Sequence, residues 1–215
     1  MSQQILRVIL LVPVFLFSLC FHEYAHAWVA VKRGDPTPER LGRLSMHPMA
    51  HADLLGTILL PIFCISYRMP FFGWAKPVPV DMRNFKYGRL DMALVAAAGP
   101  AANVFLALVS TLALALLIRV PSQTTWLVTV QTFAIVSIQV NLMLAFFNLL
   151  PIPPLDGFNV LQGFLTASLA HRLATLTRYA NLVFFILIFT GGFRIISAPV
   201  TNCFNWLLQL AGVMV

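Results

Sequence analysis

The sequence predicts an all-α polytopic membrane protein of about four to six transmembrane helices, with a re-entrant or extended element between the first two core helices. Three observations lead there. Of 215 residues, 60% are hydrophobic and only 10% charged, with a mean hydropathy of +0.86, far from the composition of a soluble domain. Several apolar runs approach the length that a helix needs to cross hydrocarbon, the first of them Ile5 to Phe21. The 11 glycines and 14 prolines are scattered, with no linker-like stretch, low-complexity segment or repeat, so residues 1–215 read as one integral membrane domain. The formal charge of +7 sits in the loops and reports topology, which excludes a nucleic-acid partner.

The first helix is expected over Ile5 to Lys32 and stops at Gly34-Asp35-Pro36. Its apolar run, followed by Ala25-His26-Ala27, resembles a signal peptide with a cleavage site, but the run is long for that and the helix reads as retained. Residues 41–53 are polar and broken by Pro48. Leu54 to Tyr67 is apolar, short for a span and interrupted by Pro61. Lys32, Arg33, Arg40 and Arg43 precede it, and Arg68, Lys76, Arg83, Lys86 and Arg89 follow it, so basic loops on one side imply a segment that dips in and returns. Gly73 to Val80 contains Pro77 and Pro79 and is expected to be an extended strand or edge near the interface. Further helices are expected over Leu90 to Leu117, Thr125 to Leu149 and Ala180 to Ile196, while Cys203 to Val215 is short for a span. With basic loops inside, the chain starts outside and the ends of the first and third helices share the cytoplasmic side.

His22-Glu23-Tyr24-Ala25-His26 lies where the first helix leaves its apolar run. Ionisable groups in such a segment are costly and mark function. Four residues apart on a helix, His22 and His26 share a face about 6 Å apart, close enough to hold one ion, and Glu23 stands beside that face to take a proton from a metal-bound water. A catalytic zinc generally has three protein ligands. The second polar constellation, Asn148 to Gly157, has Pro151, Pro153 and Pro154 breaking the third helix at the same membrane side. Broken backbone at membrane depth is tolerated only where it is buried or lines a wet cavity, and Asp156 stands in that break as the third ligand for one Zn2+.

The plainer readings carry less. Leu155-Asp156-Gly157 alone reads as a turn or helix cap. His47 and His51 have the same four-residue separation, but Pro48 between them argues against a shared helical face, leaving interfacial, outer-sphere or substrate-side roles; His171 reads as a loop residue. Cys20, Cys64 and Cys203 are odd in number and apolar in setting, hence small buried hydrophobes. The small-residue run from Ala96 to Ala102 suits close helix packing, with Asn103 either bridging helices or facing the site.

His22 to His26, Phe72 to Val80, Ala98-Gly99-Pro100-Ala101-Ala102-Asn103 and Asn148 to Gly157 together resemble the ordered signature of the site-2 protease family of intramembrane zinc metalloproteases, from about residue 15 to 165. The resemblance implies His22, His26 and Asp156 as zinc ligands, Glu23 as the catalytic glutamate, and Asn148 as an active-site residue that positions the substrate backbone. Many relatives insert a PDZ domain or append a regulatory one; this sequence shows neither.

The expectation is therefore an intramembrane endopeptidase acting on single-span membrane proteins in the bilayer of a prokaryotic plasma membrane, its active site toward the cytoplasm. Zinc-activated water attacks the scissile carbonyl with Glu23 as general base. A substrate helix must unwind to be cut, and Lys76 to Val80 either pairs with the unwound strand or is only a structural edge. Two other classes stay open: a metal transporter or channel, and an inactive chaperone of the same fold, against which an intact Glu23 argues.

Overall fold

The computed structural model describes residues 3–67, 73–121, 124–179, 182, 186 and 194–213. Three helices are long and apolar enough to cross a membrane: α1 (Gln3–Lys32), α5 (Arg89–Leu117) and α6 (Thr125–Asn148). Between α1 and α5 come the short α2 (Thr37–Arg40) and α3 (Pro48–His51), then a π-helical stretch (Leu54–Leu59) that runs into α4 (Leu60–Ser66). After α6 follow α7 (Asp156–Phe164), α8 (Ala167–Ala174) and α9 (Arg194–Ala211).

Side-chain pairings fix the directions of the long helices. His22 meets Asn103 while His26 meets Val95, so α1 and α5 are antiparallel. Asn103 meets Asn141 while Ser110 meets Ser137, so α5 and α6 are antiparallel too, and α1 runs parallel to α6. Val14, Phe15 and Leu19 of α1 pack on Val136, Val140 and Leu144 of α6. On the other side Ala107 and Leu114 of α5 and Ile138 and Leu142 of α6 pack on Ile196, Val200 and Leu207 of α9.

The polarity of the molecule is that of a lipid-dissolved protein. Phe17, Phe105, Leu108 and Leu112 are exposed, whereas His22, His26, Asn103, Asn141 and Ser137 are buried. In water that arrangement wastes apolar surface, but in hydrocarbon it hides these polar groups. Lys32, Arg33, Arg40, Arg43, Lys76, Arg83, Lys86 and Arg89 all belong to the end of the bundle where α1 finishes and α5 begins. His22 lies about 15 Å below that end, from ten residues at 1.5 Å rise each, which is roughly half the thickness of a hydrocarbon core.

The expected out-and-back course of residues 54–67 has a backbone signature: Trp74 N–H donates to Gly56 O and Lys76 N–H to His51 O, so the chain returns beside the point where it left. Residues 73–80 are extended, as anticipated, but form no strand; among the described residues their amides bond to carbonyls of α3 and the π-helical stretch and to one side chain instead of a ladder. The helix expected over Ala180 to Ile196 falls mostly outside the described residues. Cys203 onward is not a separate piece but the second half of α9, which runs through Pro199, and its buried face on α5 and α6 stabilises it despite the lost backbone bond. His171 is helical rather than in a loop, on the exposed side of α8 whose Ala170 faces inward.

Candidate functional site

Helical spacing brings the two histidines together as expected. Their rings meet edge to face at 4.6 Å between centroids, with Nε2 atoms 3.0 Å apart. Asp156 arrives from the far end of the chain. After Asn148 the prolines end α6, Leu155 takes an extended backbone (φ −74, ψ 157), and α7 restarts at Asp156. The chain folds back so tightly that a Cβ on Gly157 would lie 2.2 Å from Leu149 O, so only glycine permits it. This return sets Asp156 Oδ2 at 3.1 Å from His22 Nε2 and 3.3 Å from His26 Nε2.

Three atoms 3.0 to 3.3 Å apart are held on a triangle, and their chemistry says what for. His26 Nδ1 is 2.7 Å from Val95 O, which can only accept, so Nδ1 carries the proton and Nε2 a lone pair. His22 Nδ1 faces Asn103 Oδ1 at 2.6 Å with the same consequence. Asp156 Oδ2 is buried and has no hydrogen-bond partner. Two imidazole lone pairs and a carboxylate oxygen thus point at one another out of water, which is repulsive unless a cation lies among them. Ligands about 2.0 to 2.1 Å from one tetrahedral ion lie about 3.3 to 3.4 Å apart, so the donor set suits zinc. Gly99 completes the cradle: a Cβ there would be 2.4 Å from His26 Nε2 and 2.5 Å from His22 Nε2, in the space in front of both nitrogens.

Glu23, next along α1, has an oxygen within 4.8 Å of the histidine donors. Its Oε2 accepts from Val78 N–H at 3.0 Å. In Pro77-Val78-Pro79 that amide is the one N–H, since prolines have none, and the extended segment spends it on Glu23. A cavity of about 580 Å³ opens beside the triangle, lined by Trp74, Pro77 and Val78 of this segment, by Leu144 and Asn148 of α6, and by Asn159 of α7. Asn148 is half-buried and donates through Nδ2 to Leu144 O at 2.9 Å.

The extended segment is held by a polar clamp at the basic end. Asp35 accepts from Thr37 N–H, Thr37 Oγ1, Asp81 N–H and Asn84 Nδ2 at 2.6 to 3.0 Å. Burial works to raise its pKa, but those hydrogen bonds outweigh it and hold the carboxyl below the ordinary range. Asp81 is drawn down to about 2, first by the Arg83 guanidinium on both its oxygens and then by Arg83 N–H. Arg33 pairs with the buried Asp91 at the start of α5, and Arg43 donates to Ala50 O and Pro77 O.

The structure thus gathers His22, Glu23, His26, Asp156 and Asn148 around one cavity. It leaves His47 and His51 out: His47 is exposed and caps α3, accepting from Met49 N–H, while His51 is buried against Ser45 O at 2.8 Å. Asn103 takes both roles left open for it, facing His22 and reaching Asn141 of α6. Sequence reasoning missed Val95 O, Gly99 as part of the cradle, Val78 N–H, Asn141 and Asn159. Only Asn141 carried a signal, as one of the few carboxamides in an otherwise apolar helix.

A sequence model of peptidase family M50 matches residues 114–191, which take in Asn148 and Asp156. The chain is 37% identical over 194 residues to a protein of Bacillus subtilis named "Putative zinc metalloprotease YwhC", covering 89% of this chain and 85% of that one. Proteins of the same description, called Rip2, are 29% identical over 183 residues in Mycolicibacterium smegmatis (85% of this chain, 67% of that one) and 28% identical over 211 residues in Mycobacterium tuberculosis (95% and 75%). No solved structure matches the chain.

Proposed function

The chain belongs to peptidase family M50, the site-2 protease family of membrane zinc metalloproteases, and from that premise we propose that it cuts peptide bonds within single-span membrane proteins, using residues 1–215 as one catalytic domain. The observation that carries this is the buried triangle of His22 Nε2, His26 Nε2 and Asp156 Oδ2 with the carboxylate of Glu23 beside it.

His22, His26 and Asp156 hold the zinc. When bound, the ion supplies a Lewis acid that polarises the scissile carbonyl and brings the pKa of a bound water to about 7. Glu23, steadied at Oε2 by Val78 N–H, accepts the proton of the attacking water and returns it to the leaving amine. Asn148, on the cavity wall, positions the substrate backbone. Val95 O and Asn103 Oδ1 keep the Nε2 lone pairs of the two histidines turned inward.

The basic residues collected at the end of the bundle nearest the site support a cytoplasmic position for that end by the positive-inside rule, with the start of α1 outside. Water enters from that side through the cavity, whose lining includes Asn148 and Asn159. A bacterial plasma membrane is the setting that fits both this arrangement and the bacterial relatives.

The test is co-expression with a single-span substrate, comparing wild type with Glu23→Ala, alongside zinc analysis of the purified protein. Glu23-dependent cleavage with stoichiometric zinc is expected. Zinc without such cleavage favours the transporter or chaperone readings and removes this one.

A further inference from the structure

His26 and His22 hold their Nδ1 protons for different reasons. Val95 O, opposite His26, is a backbone carbonyl and leaves the ring one choice. His22 faces a carboxamide, and Asn103 can offer the ring either its oxygen or its NH2 group. With the oxygen inward, His22 Nε2 is a lone pair aimed at the donor triangle. Reversed, the amide donates to Nδ1, the proton moves to Nε2, and an N–H points at the place where a metal ligand is needed.

The choice is made farther inside the bundle. Asn103 Nδ2 donates to Asn141 Oδ1 at 2.9 Å and, over a longer 3.4 Å, to Ser18 O. Asn141 is itself locked, because its Nδ2 donates to Ser137 O at 2.9 Å and to Ser137 Oγ at 3.3 Å. Ser137 O can only accept. Reversing Asn103 sets its oxygen against Asn141 Oδ1, and reversing both sets Asn141 Oδ1 against the Ser137 carbonyl. Asn103 and Asn141 are both 0% exposed, so no solvent relieves either clash.

We propose that Asn141 is a positioning residue for the metal site: anchored on the Ser137 carbonyl, it orients the Asn103 carboxamide and thereby sets the tautomer of His22 and the affinity for zinc. The inference rests on the reading of His22 as a zinc ligand. It differs from the simple view of Asn141 as polar glue between α5 and α6, which gives it no say in metal binding.

Replacing Asn103 with aspartate separates the two. A carboxylate has oxygens on both arms, so Asn103→Asp accepts from His22 Nδ1 whichever way it turns and no longer needs Asn141 to orient it. The measurements, on the full chain in detergent, are the zinc dissociation constant by chelator competition and the tautomer of His22 from its ring ¹⁵N shifts in metal-free protein. Asn141→Leu is expected to weaken zinc binding about 10- to 100-fold, the usual range for an outer-shell partner, and to move His22 toward the Nε2–H tautomer. In the Asn103→Asp background, where a carboxylate oxygen faces Asn141 Oδ1 in either orientation, the same change removes that repulsion and is expected to cause no loss of affinity. Asn141→Leu with wild-type affinity and tautomer, or an equal loss in both backgrounds, overturns the proposal. If the wild type binds no zinc, or binds it without His22, the metal reading fails on its own, and the His22 tautomer in metal-free Asn141→Leu still decides the relay.

Discussion

Val78 offers a way to perturb the proposed general base, Glu23, without touching it. Its N–H is the donor to Glu23 Oε2 at 3.0 Å, and the residue precedes Pro79, so its backbone is already biased to the extended region that proline itself occupies. Val78→Pro therefore removes the donor with little demand on the backbone, while Val78→Ala keeps it and trims only the side chain on the cavity wall. A hydrogen bond to a charged group contributes about 1.5 to 3 kcal/mol, and each 1.4 kcal/mol is tenfold in rate, so kcat/KM for Val78→Pro should fall about 10- to 150-fold. The loss should lie mainly in kcat, and zinc content should stay at wild type because Val78 N–H contacts none of the triangle atoms. Val78→Ala should lose less than about threefold. The assay is turnover of a single-span substrate in detergent, with metal content measured on the same samples. Wild-type turnover by Val78→Pro, or an equal loss in Val78→Ala, would refute the view that this amide steadies Glu23. Val80→Pro probes the other reading of the segment, in which it pairs with an unwound substrate, and reduces cleavage only if that pairing occurs.

Gly99→Ala should abolish zinc retention and cleavage together, since its Cβ would sit about 1 Å inside normal contact with both Nε2 atoms; a variant that keeps zinc would show the cradle to be roomier than its geometry implies. Asp156→Asn removes the anionic donor while keeping its size, and is expected to weaken zinc binding by at least about 100-fold in chelator competition; unchanged affinity would remove Asp156 from the ligand set. Asp35→Ala strands Thr37 N–H, Asp81 N–H and Asn84 Nδ2, which should cost about 2 to 4 kcal/mol and loosen the extended segment, read as a lower Tm and faster proteolysis after Arg83 or Lys86. The folded pKa of Asp35 is depressed, so its contribution is complete above the unfolded value of about 3.9 and is lost as pH falls through the folded one. Thermal stability should hold from about pH 7 to 5 and decline below about pH 4, less steeply in Asp35→Asn; equal slopes would refute the clamp.

The division between what was legible beforehand and what was not follows the range of the interactions. Sequence alone determined the three long apolar helices, because span length and composition are local, and the shared face of His22 and His26, because helical periodicity acts over four residues. It also led to Asp156, since a proline-broken helix end and the distribution of basic residues are enough to put two distant segments at one end of a bundle. Tertiary structure alone decided the rest. The Nδ1 acceptors of the histidines lie 69 and 81 residues away, Val78 lies 55 residues from Glu23, and Gly99 is needed only because α5 packs against α1 at that height. A backbone carbonyl or amide is the same in every residue, so no residue type announces which one will face a ligand. That is settled only when packed helices fix their rotation and register, and with it which lone pairs meet.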